Sequence, residues 1–75
     1  MALYRVMGDV FPFKHGDFVE DGDDGMVQKV RTWTENGRLQ VGGFEGMLVP
    51  IGLVREYLLC IKKRGVDGDS VRRCH

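Results

Sequence analysis

The sequence lacks long hydrophobic runs and contains few cysteines, and both shortages narrow the possible functions. No apolar stretch approaches the roughly 20 residues that a membrane-spanning helix requires, so we expect no membrane partner. The first residues also lack the charged head and long apolar stretch of a secretory signal peptide. Two cysteines, Cys60 and Cys74, do not make a disulfide framework. We therefore predict an intracellular, cytoplasmic protein in a reducing setting.

Residues that usually build catalytic sites are also scarce. Ser70 is the only serine and lies near the C-terminal end. A cysteine nucleophile would need Cys60 beside His15, with a third group to orient the base, and no spacing indicates that arrangement. The acidic residues lie mainly in segments that we expect to be exposed, without the burial that tunes catalytic carboxylates. We predict that the protein is not an enzyme.

Metal and cofactor motifs are incomplete. With either Gly22 or Gly25 as the invariant sixth residue of an EF-hand loop, the third position lacks a side-chain oxygen and the twelfth lacks the closing glutamate. The candidate zinc ligands are His15, Cys60, Cys74 and His75. They include no Cys-x-x-Cys pair, and the glycines of residues 42–46 are not followed by the Lys-Ser or Lys-Thr of a phosphate loop. We predict no metal and no cofactor.

The length of the chain and its glycine content favour one small β domain. The chain has 75 residues, enough for a single thin core, and its 11 glycines favour turns and bulges over a helical bundle. We predict one domain over residues 1–64. Residues 65–75 are polar and without apolar periodicity, which predicts a basic tail that is mobile or ordered by a partner.

Short extended segments separated by turn signals predict a mainly β fold. The first strand is predicted over residues 2–10. The proline of Phe11-Pro12-Phe13 cannot donate to a sheet, which predicts an edge or a corner. Residues 18–19 and 47–49 are further short extended segments, and Pro50 ends the second.

The central prediction is a hairpin that runs from Asp17 to Phe44. Residues 26–35 are rich in β-branched and aromatic side chains and predict a strand. Their uneven apolar spacing predicts a bulge near Gln28-Lys29. Asn36-Gly37 is the commonest two-residue hairpin turn, because both residues accept positive φ.

The strand that returns from this turn is predicted over residues 38–41, with Leu39 and Val41 facing inward. Gly42-Gly43 is expected to interrupt the strand and let it bend sharply. We expect the strand to resume at Phe44.

Residues 52–64 predict a C-terminal helix. The apolar residues at helical spacing are Val54, Tyr57, Leu58 and Ile61, which form one stripe. Basic residues at 62–64 complement the helix end, and Gly65 suits a C-cap. The same residues also alternate between two faces as a strand would, so the strand remains the alternative.

These segments predict a small, bent five-stranded barrel or an open antiparallel sheet with one C-terminal helix. The segments are Phe18-Val19, Gly25-Met26-Val27, Leu39-Gln40-Val41 and Val49-Pro50-Ile51. Their spacing, over residues 13–57, resembles that of SH3-like barrels of the Tudor and KOW kind. The resemblance implies a fold and no particular activity, because such barrels host many functions.

Charge is balanced overall but unevenly distributed. Residues 1–25 carry six acidic and two basic side chains, whereas residues 61–75 carry five basic and two acidic ones. The acidic side chains predicted to meet a basic partner are Asp17, Glu20, Asp21, Asp23 and Asp24. The predicted basic tail consists of Lys62, Lys63, Arg64, Arg72 and Arg73. Such an asymmetry can orient a chain on its partner.

The leading functional prediction is a non-catalytic protein-interaction module: an accessory subunit, adaptor or small inhibitor of a larger complex. A thin core and asymmetric charge suit a chain that is stabilised by binding to a partner. The alternative is a nucleic-acid-binding barrel with a basic and aromatic hairpin face. That face consists of Lys29, Arg31, Trp33 and Arg38. A homo-oligomer joined by exposed strand edges is the third option.

Overall fold

Strands extend over most of the described chain, from Ala2 to Lys63. The computed structural model describes residues 2–22 and 24–63. Its strands are β1 (Ala2–Val6), β2 (Phe18–Asp21), β3 (Met26–Glu35), β4 (Arg38–Phe44), β5 (Val49–Pro50) and β6 (Leu58–Lys63). A short helix, α1 (Ile51–Val54), and a 3-10 turn (Arg55–Tyr57) connect β5 to β6. The predicted mainly β class is confirmed.

All of the strands belong to one antiparallel sheet. Their order is β4-β3-β2-β1-β6, so the last strand returns to the first, and β5 pairs with the start of β3. The sheet does not close within the described residues, which corresponds to the open-sheet form of the prediction. β1 is therefore an inner strand, although it comes first in the chain.

The hairpin of β3 and β4 has the predicted turn. Asn36 has φ of 54° and Gly37 has φ of 77°, the two positive values that a type I′ turn needs. The flanking residues Glu35 and Arg38 face each other across the turn. The predicted bounds of the long strand, residues 26–35, are confirmed.

The hairpin bulge lies on the opposite strand from the one predicted. Val30 faces Phe44 while Thr32 faces Val41, so the extra residue is on β4, at Gly42-Gly43. The bulge predicted near Gln28-Lys29 is therefore wrong. β4 also continues through the two glycines to Phe44 instead of stopping, because a bulge absorbs the irregularity without ending the pairing.

The core lies between the sheet and the segments that fold across it. Its buried residues are Val6, Phe13, Val19, Val27, Val49 and Val54, with Tyr4, Val10, Ile51 and Leu58 packed against them. The inward orientation predicted for Leu39 is wrong, since this side chain is 42% exposed. β4 is the outermost strand of the sheet, and the core cluster draws no residue from it.

The first strand is shorter than predicted, because the chain turns away after Val6. β1 ends at Val6, whose N–H donates to the Asp17 carbonyl (2.8 Å), and the Met7 N–H donates on the opposite side of the chain, to the Tyr57 carbonyl (2.7 Å). The predicted corner at residues 11–13 is present, with a cis Phe11-Pro12 bond and an isolated bridge between Val10 and Phe13.

The predicted C-terminal helix is wrong over most of its length. The helix has only four residues, and its N-terminus carries no side-chain cap. Residues 58–63 instead pair with β1, from Val6 facing Leu58 to Ala2 facing Lys63. The apolar spacing of these residues predicted a helix. Their backbone N–H and C=O groups instead form hydrogen bonds with β1, which is distant in the sequence. The tail predicted at residues 65–75 lies outside the described residues.

Candidate functional site

An open groove of about 590 Å³ lies where β2 begins and β3 continues past it. Side chains from three separate parts of the chain line it. The polar and aromatic ones are Asp17, Phe18, Lys29, Arg31, Thr32, Trp33 and Glu45. The predicted hairpin face therefore forms one wall of a real concavity.

Lys29 connects the two sides of this groove. Its Nζ atom lies 3.8 Å from Oδ1 of Asp17 and 3.7 Å from Oε1 of Glu45. The Asp17 carboxylate is held by the backbone, because its Oδ2 accepts from the Lys14 N–H (2.9 Å), and the Glu45 backbone N–H donates to the Lys29 carbonyl (2.7 Å), which keeps Glu45 beside Lys29. Exposed pairs of this kind contribute little stability, but they counter the charge of Lys29.

Arg31 and Trp33 form the second part of the wall. They share one face of β3, because alternate residues of a strand do. The Arg31 guanidinium carbon lies 5.9 Å from the centre of the Trp33 ring, in cation–π contact. The Trp33 Nε1–H donates to Oε1 of Glu35 (3.3 Å), and Trp33 remains 43% exposed. Among the described residues, Arg31 makes no ion pair.

The bulge glycine makes room for the Trp33 ring. A Cβ atom on Gly42 would lie 2.9 Å from Cζ3 of Trp33 and 3.5 Å from Cβ of Arg31. The neighbouring Gly43 has no atom within 4 Å of such a Cβ. Gly42 therefore lets β4 lie against the indole, whereas Gly43 is not needed for that contact.

The structure brings together three of the four residues predicted for the basic and aromatic face. Lys29, Arg31 and Trp33 all line the groove. Arg38 lies at the hairpin turn, facing Glu35, and does not line it. Glu45 is a groove residue that sequence reasoning missed.

The acidic residues that were predicted to act together have different surroundings in the structure. Asp17 is in the groove, whereas Glu20 lies on β2 and is 7% exposed. Asp21 accepts from the Ala2 N–H (2.6 Å), and Asp24 Oδ1 accepts from the Met26 N–H (3.2 Å). Asp23 lies outside the described residues. The carboxylates of Asp21 and Asp24 thus hold backbone in place.

Tyr4 lies beside one of these carboxylates. Burial is the main factor that raises the pKa of the Tyr4 hydroxyl, and the negative charge of Asp21 and a hydrogen bond to it act in the same direction. Arg55 opposes the rise. This tyrosine packs against the core and does not line the groove.

The residues predicted for the basic tail are described only in part. Lys62 and Lys63 belong to β6, where their backbone faces Leu3 and Ala2. Arg64, Arg72 and Arg73 lie outside the described residues. Cys60 is half-buried on β6 and is not a free thiol.

Two kinds of feature are absent from the described part of the chain. Residues 2–22 and 24–63 contain no group of three or more His, Cys, Asp or Glu side chains arranged to hold a metal ion. Their helices are all too short to cross a bilayer. No protein-family model, no curated protein and no solved structure matches the chain.

Proposed function

We propose that the protein is a non-catalytic interaction module that binds a segment of a partner protein in the groove beside Trp33. The observation that carries this proposal is the half-exposed Trp33 with Arg31 stacked on it in an open concavity. Tryptophan and arginine are enriched among the residues that dominate binding energy at protein interfaces. A role as accessory subunit, adaptor or small inhibitor of a larger cytoplasmic complex belongs to the same proposal.

The charges of the groove favour a protein segment over a nucleic acid. Lys29 is countered by Asp17 and Glu45, so a phosphate backbone would meet two carboxylates near that cation. Nucleic-acid affinity depends on several unpaired cations along the phosphates, and Arg38 lies outside the groove. The neutral composition of the chain supports the same choice.

The finer fold assignment is part of the proposal. An SH3-like, Tudor or KOW-type arrangement is supported by the consecutive pairing of β1 to β4, the return of β6 to β1 and the glycine bulge in β4. Such a scaffold leaves a groove beside a long central strand available for a ligand. The function itself depends on the groove residues and not on the fold.

The test begins with peptides selected from a random phage-displayed library on the immobilised protein. Affinities are then measured calorimetrically for the wild type, for Trp33→Ala and for Leu39→Ala, which removes an exposed apolar side chain outside the groove. We expect Trp33→Ala to weaken binding about tenfold or more and Leu39→Ala to leave it unchanged. Circular dichroism confirms that each variant is folded.

Two results would contradict the proposal. One is that selected peptides bind Trp33→Ala as tightly as the wild type. The other is that no peptide is selected while mixed RNA or DNA binds tightly, with an affinity that falls steeply as salt is raised.

A further inference from the structure

β3 continues beyond the strand that covers one of its edges. β2 begins at Phe18, and the pairing of β2 with β3 runs only as far as Val19 facing Lys29. From Arg31 to Glu35, the strands of the described residues pair with β3 only on its β4 side. The groove lies at this point, where β2 would continue if it were longer.

The backbone of β3 is oriented to accept a strand there. In a two-residue hairpin the residues that flank the turn, Glu35 and Arg38, exchange both hydrogen bonds. Backbone groups alternate in direction along a strand, so those of Thr32 and Thr34 are directed away from β4. An extended peptide can pair with such an edge by main-chain hydrogen bonds.

Arg31 determines which side chain that peptide would carry. Four charged side chains line the groove, and Lys29 pairs with both Asp17 and Glu45. Arg31 is the remaining one, and its guanidinium lies over the Trp33 ring in cation–π contact. A stacked guanidinium keeps its planar N–H edge available for a carboxylate.

We infer that the groove binds an extended segment of a partner protein that carries one carboxylate, and that this segment adds to β3 at the position that β2 leaves vacant. The residue opposite Arg31 carries a carboxylate, because cross-strand neighbours share a face. The residue two positions away is apolar and covers Trp33. This inference rests on the proposed function and specifies its ligand.

The experiment uses short capped peptides of the pattern Thr-Thr-Glu-Thr-Leu-Thr-Thr, with Gln or Lys in place of Glu. Binding is followed by the fluorescence of Trp33, the only tryptophan. We expect the Glu peptide to bind about tenfold more tightly than the Lys peptide. Arg31→Glu should reverse that preference, while Arg38→Ala, which removes a cation outside the groove, should leave it unchanged.

Strand addition is tested on the peptide rather than on the protein. An added strand uses alternate amides for pairing, so N-methylation of one alternate set should abolish binding and N-methylation of the other should be tolerated. Equal effects of the two sets would overturn strand addition. A charge preference that Arg31→Glu leaves intact would overturn the role of Arg31.

The remaining outcomes separate this inference from the proposed function. If library-selected peptides lack acidic residues but still require Trp33, the inference fails and the protein-binding function stands. If sedimentation shows that the chain pairs with itself and Arg31→Glu dissociates it, the occupant is a second copy and the inference is overturned. If neither peptides nor copies bind and oligonucleotides do, both proposals fail.

Discussion

The two halves of β3 are both rich in strand-forming residues but have different roles. The inner half, Met26–Val30, pairs with β2 on one side and with β5 and the end of β4 on the other, and its valines Val27 and Val30 are 0% and 2% exposed. The outer half, Arg31–Glu35, pairs with β4 alone and is mostly exposed. Both are rich in residues of high β propensity, so their neighbours decide which half forms core and which forms a surface. Stability and binding should therefore respond to different halves.

The largest effect is expected from Val27→Ala in the inner half. Loss of two buried carbons, with a cavity that the sheet cannot fill, should lower the free energy of unfolding by about 2–3 kcal/mol. Urea denaturation measures this change. The matched control in the outer half is Thr34→Ala, which is exposed and should change stability by less than about 0.5 kcal/mol. Equal losses at both positions would remove the distinction between the halves.

A smaller effect is expected from Gly42→Ala, which acts on the outer half. The new methyl group would lie 2.9 Å from the Trp33 ring, so the half-exposed ring must move. We expect a loss of about 1 kcal/mol and a shift of the Trp33 emission. Gly43→Ala is the control, since its methyl group meets nothing within 4 Å. The same emission shift in both variants would show that the close approach is not its cause.

The smallest effect is expected at alkaline pH, where ionisation of Tyr4, close to the inner half, should lower the stability of the fold. Tyr4 has a pKa raised above its ordinary value of 10.0 by burial and by Asp21, which faces Val27 across β2 and β3. A raised pKa means that the folded state favours the protonated hydroxyl. That contribution to stability is present below pH 10 and is lost as pH rises through the folded-state pKa.

To isolate this contribution, the free energy of unfolding in urea is measured from pH 7 to pH 11 for the wild type and for Tyr4→Phe. The stability of the wild type should fall more steeply above pH 10 than that of the variant, which has no hydroxyl to ionise at this position. Parallel curves would contradict the assigned surroundings of Tyr4.

Local signals were enough to predict the hairpin. Asn36-Gly37 specifies its turn through two residues that accept positive φ, and the limits of β3 follow from the turn signals on either side. Of the four residues predicted for the basic and aromatic face, Lys29, Arg31 and Trp33 line one groove, whereas Arg38 lies at the turn. These predictions required no knowledge of distant parts of the chain.

Predictions failed where distant partners decide the structure. The apolar pattern of residues 58–61 fits a helix or a strand, and only pairing with β1 selects the strand. Glu45 was missed because regular pairing would place Phe44 opposite Lys29, and the bulge at Gly42-Gly43 moves the register by one residue. The acidic residues were grouped by their order in the chain, whereas each has a different neighbour in the fold.

The position of β1 has a consequence for how the chain folds. β1 is made first, yet it lies between β2 and β6, the strand that ends at Lys63. Contacts between such distant segments slow folding, because a long loop must close before they form. On the ribosome, the outer edge of β1 therefore stays unpaired until Leu58–Lys63 has emerged. During that interval the edge is open to strands of other nascent chains.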